Sequence, residues 1–137
     1  RFGTAAVAFG KPLSLRAAGP DPQADVLLEE LMGRIAQTMP VLAVPVVCQV
    51  LFKADGLNDD DLKQAAGALF DKLPQANRVV GQADMATEVT RALGGLAARQ
   101  LIKKRKGVWH IQPDQASVLQ FYASSIDHFS PNNAAGA

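Results

Sequence analysis

The chain has 137 residues, of which 48% are apolar, 20% charged and 6% aromatic, with a formal net charge of +1. That length suits one domain or two small lobes, and the apolar share excludes general disorder. The charge balance excludes a protein whose whole surface holds a polyanion, one cysteine excludes an internal disulfide framework, and two histidines leave too few ligands for a dedicated zinc site.

The opening Arg1-Phe2-Gly3-Thr4 has no initiating Met and no charged-then-apolar leader, so the chain reads as a piece that begins partway through a longer protein. Residues 4–9 read as a short strand, Ala5-Ala6-Val7-Ala8-Phe9, closed by Gly10-Lys11-Pro12. Its nearly continuous apolarity suits a strand buried on both faces. No partner strand lies nearby, so its sheet neighbours are expected upstream. Leu13-Ser14-Leu15 continues as an extended stretch, and Gly19-Pro20-Asp21-Pro22 reads as a linker or turn.

Residues 25–39 form the first helical pattern, with Leu28, Leu31, Met32, Ile35 and Met39 on one face and Glu29, Glu30 and Arg34 away from it. Pro40 interrupts it. Residues 41–52 are nearly all apolar, and eighteen residues run without a charge between Arg34 and Lys53. This run reads first as a buried core helix. Interfacial membrane contact and a bilayer span are the alternatives, weakened by Pro40, Pro45, Gln37, Thr38 and Gln49. Asn58 is a good N-cap for a third helix, where Asp59, Asp60 and Asp61 oppose the helix dipole in preference to holding a metal. Leu62, Ala65, Ala66, Leu69 and Leu73 make its apolar face, and Pro74 ends it. Residues 84–100 form a fourth helix, with Met85, Val89, Ala92, Leu93 and Leu96 on one side. Gly94-Gly95 inside it suggests a close helix contact. Residues 101–104 and 108–111 read as a hairpin around Arg105-Lys106-Gly107. A last helix is expected over 114–129, led in by Pro113, with Leu119, Tyr122, Ile126 and Phe129 buried. The tail 130–137 is small and polar and is expected to fray. The fold class is therefore mainly α with a small β component (α+β): an N-terminal strand, about five helices and one hairpin.

Few residues carry the marks of chemistry. A His110–Asp114 pair could activate a hydroxyl, yet no nucleophile or oxyanion donors accompany it, and Asp114 more simply serves the start of the last helix. Cys48 sits in the apolar run with no cation to activate it and reads as core. His128 lies near a helix C-terminus, where its charge suits the dipole. Lys103, Lys104, Arg105 and Lys106 are the most concentrated charge. They read as a solvated turn, as a contact for anionic lipid or an acidic partner, or as the wing of a nucleic-acid-binding module. A helix followed by a basic hairpin is similar to a winged-helix domain, although the preceding helix carries only Arg91 and Arg99 as cations.

Four blocks in order resemble one family. Ala5-Ala6-Val7-Ala8-Phe9-Gly10-Lys11-Pro12-Leu13-Ser14-Leu15 resembles the strand and "FGxPLSL" block that follows the catalytic core of bacterial glycerolipid acyltransferases. Leu31-Met32-Gly33-Arg34-Ile35 with Pro40-Val41-Leu42-Ala43-Val44-Pro45-Val46-Val47 is similar to the helix pair after it. Residues 93–102 resemble the "LxxRxLI" approach to a hairpin. Phe121-Tyr122-Ala123-Ser124-Ser125-Ile126-Asp127-His128-Phe129 is similar to the "YYANSIAHxL" signature. The resemblance implies a parent enzyme that acylates glycerol-3-phosphate or its 1-acyl derivative in phospholipid synthesis. The donor would be acyl-CoA or acyl carrier protein, the place the cytoplasmic face of a membrane, and no cofactor is implied. An upstream His would act as general base and an Asp would orient it. That family's signature separates His and Asp by four residues. His110 and Asp114 have three between them and lie in another region, and the acceptor-phosphate motif is absent. No catalytic residue falls in this chain, which the resemblance divides into 1–18, the end of the catalytic domain, and 19–137, a C-terminal helical domain with its hairpin at 101–111.

Overall fold

The computed structural model describes residues 5–19, 23–54, 56–79 and 84–129. Its architecture is mainly α with one small antiparallel sheet, in the order α1 (Ala24–Thr38), α2 (Ala43–Lys53), α3 (Asp59–Phe70), α4 (Met85–Ala98), β1 (Ile102–Arg105), β2 (Val108–Ile111) and α5 (Ala116–Ser124).

Helix α2 is the centre. Its apolar side chains leave no polar face, and Val46, Val47, Cys48, Val50 and Leu51 are all buried. Helices α3, α4 and α5 pack around it, as does β2. Pro45 falls in the first turn, where the missing N–H would have had no helical acceptor. Of the readings open for residues 41–52, the buried core helix is the one observed. Among the described residues no helix is long and apolar enough to cross a membrane.

The surrounding helices start and stop where their sequences direct. Asn58 Oδ1 accepts from the amides of Asp60 and Asp61, and Asp84 accepts from the Thr87 amide at 2.8 Å. Helix α4 closes in a Schellman turn: Leu101 N–H bonds Leu96 O and Gln100 N–H bonds Ala97 O, with Gln100 at φ 59° in the position usually given to glycine. The chain then enters the hairpin, whose pairs run from Ile102–Ile111 to Arg105–Val108. Lys106 at φ 49° and Gly107 at φ 82° make the two-residue turn that matches the twist of the strands. Leu57 adds a bridge to the outer side of β2 through Trp109 N–H and Leu57 O, 2.9 Å apart.

A buried asparagine, Asn77 (2% exposed), joins α1 to this core. Its Nδ2 donates to Gln37 O at 2.7 Å and Met39 O at 2.9 Å, at the end of α1. Its own carbonyl accepts from Val41 N–H, which begins a short parallel bridge between Val41 and Arg78. Arg78 in turn donates to Leu73 O and Asp71 O, past the end of α3.

The sequence reading needs correction at five places. No strand forms over 5–9, the described part of the strand expected at 4–9. Residues 5–13 adopt no helix or strand, no backbone among the described residues pairs with them, and Val7 and Phe9 stand 80% and 94% exposed. Thr4 lies outside the described residues, as do 20–22 of the expected linker and the tail 130–137. Residues 14–18 turn where an extended stretch was expected, with Ala17 N–H on Ser14 O. The apolar face of α1 is not buried, because no described element packs over Leu28 or Met32. Gly94 and Gly95 serve no close contact, since a Cβ on either would meet nothing within 4 Å. The last helix is also shorter than expected. It begins as a 3-10 turn at Pro113–Gln115 and ends at Ser124, where Ser125 Oγ donates to Tyr122 O, the acceptor that a further α-turn would need. A second 3-10 turn, Asp127–Phe129, follows.

Asn77→Ala is expected to lower unfolding free energy by about 2–3 kcal/mol, because it strands two carbonyls at a buried corner. Urea denaturation measures this; a change under about 0.5 kcal/mol would mean that water replaces the amide without cost.

Candidate functional site

The basic hairpin is the most concentrated charge in the sequence, and strand alternation splits it. Cross-strand partners share a face, so Lys104 lies with Trp109, while Lys103 lies with His110 on the other side. On its side, Lys104 Nζ reaches Asp59 Oδ2 at 2.7 Å and sits 5.4 Å from the Trp109 ring centre. Trp109 Nε1 donates to the other oxygen of the same carboxylate at 2.6 Å. Asp59 thus occupies the first turn of α3 with both oxygens bonded to the hairpin. These bonds, Lys104 first and Trp109 second, hold its carboxyl below the usual aspartate range. Lys104 is therefore a fastener between α3 and the sheet. Lys103, Arg105 and Lys106 remain exposed and form no ion pair among the described residues.

The other sequence candidates take structural places. Asp60 and Asp61 lie in the capped turn of α3, where Asn58 Nδ2 also donates to Asp61 Oδ2. Among the described residues no group of three or more His, Cys, Asp or Glu side chains could hold a metal ion. Cys48 is buried, and burial pushes its thiol up to about 12, so it stays protonated and inert. His110 packs under the loop before α3: a Cβ on Gly56, which sits at φ +77°, would come within 3.2 Å of His110 Cε1. Asp114 lies in the 3-10 turn that leads into α5 and accepts from Gln115 Nε2. His128 does not serve its own helix. Its Nε2 lies 3.3 Å from Ala36 O, in the last turn of α1, and its ring rests on Phe129.

Three contacts had no sequence signal beyond composition. Gln49, the polar residue of α2, donates to Asp127 Oδ1 at 2.9 Å. Arg99 Nη1 donates to the Tyr122 hydroxyl at 2.9 Å. Arg34 pairs with Glu30 and donates to the carbonyls of Lys11 and Pro12, the latter at 2.6 Å. The last of these lines a shallow cleft of about 370 Å³ between residues 8–13 and α1. Helices α2 and α3 border a second groove of about 380 Å³. Comparison with family models, curated proteins and solved structures finds no match.

The Asp59 clamp sets a pH dependence. Its depressed folded pKa adds stability that is complete above the unfolded aspartate value near 3.9 and is lost as pH falls through the folded value. Asp59→Asn should be less stable than the wild type at pH 7, and the gap should close as pH falls below about 3.9. Thermal melts across that range check it; a gap constant with pH would rule out the charged clamp.

Proposed function

We propose that this chain is the C-terminal, non-catalytic part of a membrane-associated acyltransferase. The whole enzyme would move a fatty acyl group from a thioester to glycerol-3-phosphate or 1-acylglycerol-3-phosphate in phospholipid synthesis. What supports the reading is that the blocks which carry the resemblance touch one another through their own arginines. Arg34 of the Leu31–Ile35 block holds the carbonyls of Lys11 and Pro12 in the block at 5–15. Arg99 of the 93–102 block bonds Tyr122 of the 121–129 block. Residues in the blocks that carry the resemblance are thus also residues that bind the segments together.

In this reading residues 1–18 close the catalytic domain. The helical part braces it from outside. The chemistry belongs upstream: a His takes the proton of a glycerol hydroxyl as that oxygen attacks the thioester carbonyl, and an Asp fixes the His. Lys103, Arg105 and Lys106 are turned to the cytoplasmic surface of the membrane, where each cation near anionic lipid adds about 1 kcal/mol of binding. Lys104 contributes little there because Asp59 neutralises it.

A second reading, a winged-helix module for nucleic acid or for docking a protein, draws on the element order. Helix α2, the Leu57 edge, α3, α4 and the basic hairpin follow the winged-helix sequence, with Leu57 in the place of the third strand. It is the weaker reading for nucleic acid. Of the cations on or just past α4, Arg91 is paired with Glu88 and Arg99 with Tyr122, which leaves a reading helix without cations to spare for phosphates.

The coding sequence ahead of Arg1 tests the proposal. It should encode, in frame, a His and an Asp with four residues between them, and its whole product should acylate glycerol-3-phosphate while the 137-residue chain alone does not. Anionic vesicles should float the chain, and Lys103→Glu with Arg105→Glu and Lys106→Glu should leave it in the soluble fraction. Turnover by the isolated chain, or no such motif upstream, would contradict the acyltransferase. Salt-sensitive binding to duplex DNA, lost in the same triple variant, would favour the winged-helix reading.

A further inference from the structure

Helix α2 with the extended segment after it, and helix α3, leave a groove open between them. Positions 50, 53, 54 and 57 line one side and 65, 68, 69 and 72 the other. The second set, on α3 and the turn after it, is spaced i, i+3, i+4, i+7, while in the first only positions 50 and 53 are helical, since Ala54 is extended at φ −133° and Leu57 bridges Trp109. The floor is apolar, built from Val50, Ala54, Leu57, Ala65 and Leu69, while Lys53 and Lys72 carry two positive charges at its edge. Neither lysine forms an ion pair among the described residues.

The same chain holds the complement of this groove. Helix α1 buries no residue, and Leu28, Leu31, Met32 and Ile35 are between 42% and 57% exposed. They too stand at i, i+3, i+4, i+7, a stripe about 10.5 Å long. Residues 8–13 lie along one flank of it. On the other flank stand Asp25 and Glu29, one turn apart, and neither is in an ion pair among the described residues. An apolar stripe edged by two negative charges faces solvent in one place, and an apolar groove edged by two positive charges faces solvent in another. Helix α1 cannot fill the groove of its own chain. Asn77 and His128 hold its C-terminal turn, its stripe borders the other cleft, and none of its residues lines the groove.

We propose that the groove between α2 and α3 receives α1 of a second copy of this chain. Leu28, Leu31, Met32 and Ile35 enter the groove, and Asp25 and Glu29 meet Lys53 and Lys72. Two copies that exchange this contact reciprocally close as a twofold dimer. The apolar stripe supplies the affinity, and the four charges set the partner and its direction.

Sedimentation equilibrium on the 137-residue chain tests this, with charge reversals at exposed positions that the core does not use. The wild type should dimerise with concentration. Lys53→Glu with Lys72→Glu, and separately Asp25→Lys with Glu29→Lys, should each weaken the dimer by at least about tenfold, since like charges then face each other. An equimolar mixture of the two double variants should recover association, because each unaltered surface meets its unaltered complement and the reversed pair is again opposite in sign. Circular dichroism should show all forms equally folded. A chain that stays monomeric overturns the proposal, including one that stays monomeric while its groove takes up lipid or another protein. A dimer indifferent to both reversals, or a mixture that fails to recover, does the same.

Discussion

Removal of α2 from water is the constraint on which this domain rests. Five consecutive-turn side chains, Val46, Val47, Cys48, Val50 and Leu51, are buried at 5% exposure or less, and each such aliphatic contributes about 1.5–3 kcal/mol when fully buried. A helix apolar on all sides must be surrounded, so α3, α4 and α5 are arranged around it and the sheet closes what they leave open. The one polar side chain drawn in with it, Gln49, donates its hydrogen bond to Asp127 after α5, which ties the segment past α5 to the centre. Cys48 follows from the same burial: its thiol is packing material, with no route to the thiolate.

Charged groups are thereby kept out of the centre, and three of them fasten one element to the next at the seams. Asp59 joins α3 to the hairpin, Arg99 joins α4 to α5, and Arg34 joins α1 to residues 11–12. Asn77 does the same for the corner between α1 and α2 without a charge. These seams explain why a basic cluster of four shrinks to three available cations, and why the cations on or near α4 are occupied. They leave the hairpin tip better suited to a diffuse anionic surface than to reading base edges, which favours the lipid-facing proposal over the nucleic-acid one.

The local features were legible in the residues. Asn58 and Asp84 cap helices as their types suggest, Pro113 leads in the last helix, and Lys106-Gly107 turns the hairpin. Burial of residues 41–52 follows from their composition. What was not legible depended on distant partners. Periodicity shows that α1 has an apolar stripe, but only the tertiary arrangement shows that no described element covers Leu28 and Met32. The apolar run at 5–9 has strand composition, yet a strand is a pairing, and no ladder partner lies among the described residues. Gly94-Gly95 suggested close packing, and nothing in the structure explains the pair. Asn77, Asp59 and Trp109 act across 38 to 50 residues of sequence, a separation at which residue type alone gives no signal.

Backbone hydrogen exchange along α2, measured in plain aqueous buffer, probes the buried centre most directly. Amides 46–51 should be the slowest in the chain, opening only with global unfolding, and added vesicles should leave their rates unchanged. Rapid exchange of those amides in buffer, slowed only when lipid is supplied, would mean that the bilayer and not the other helices shelters α2, and would contradict the fold described.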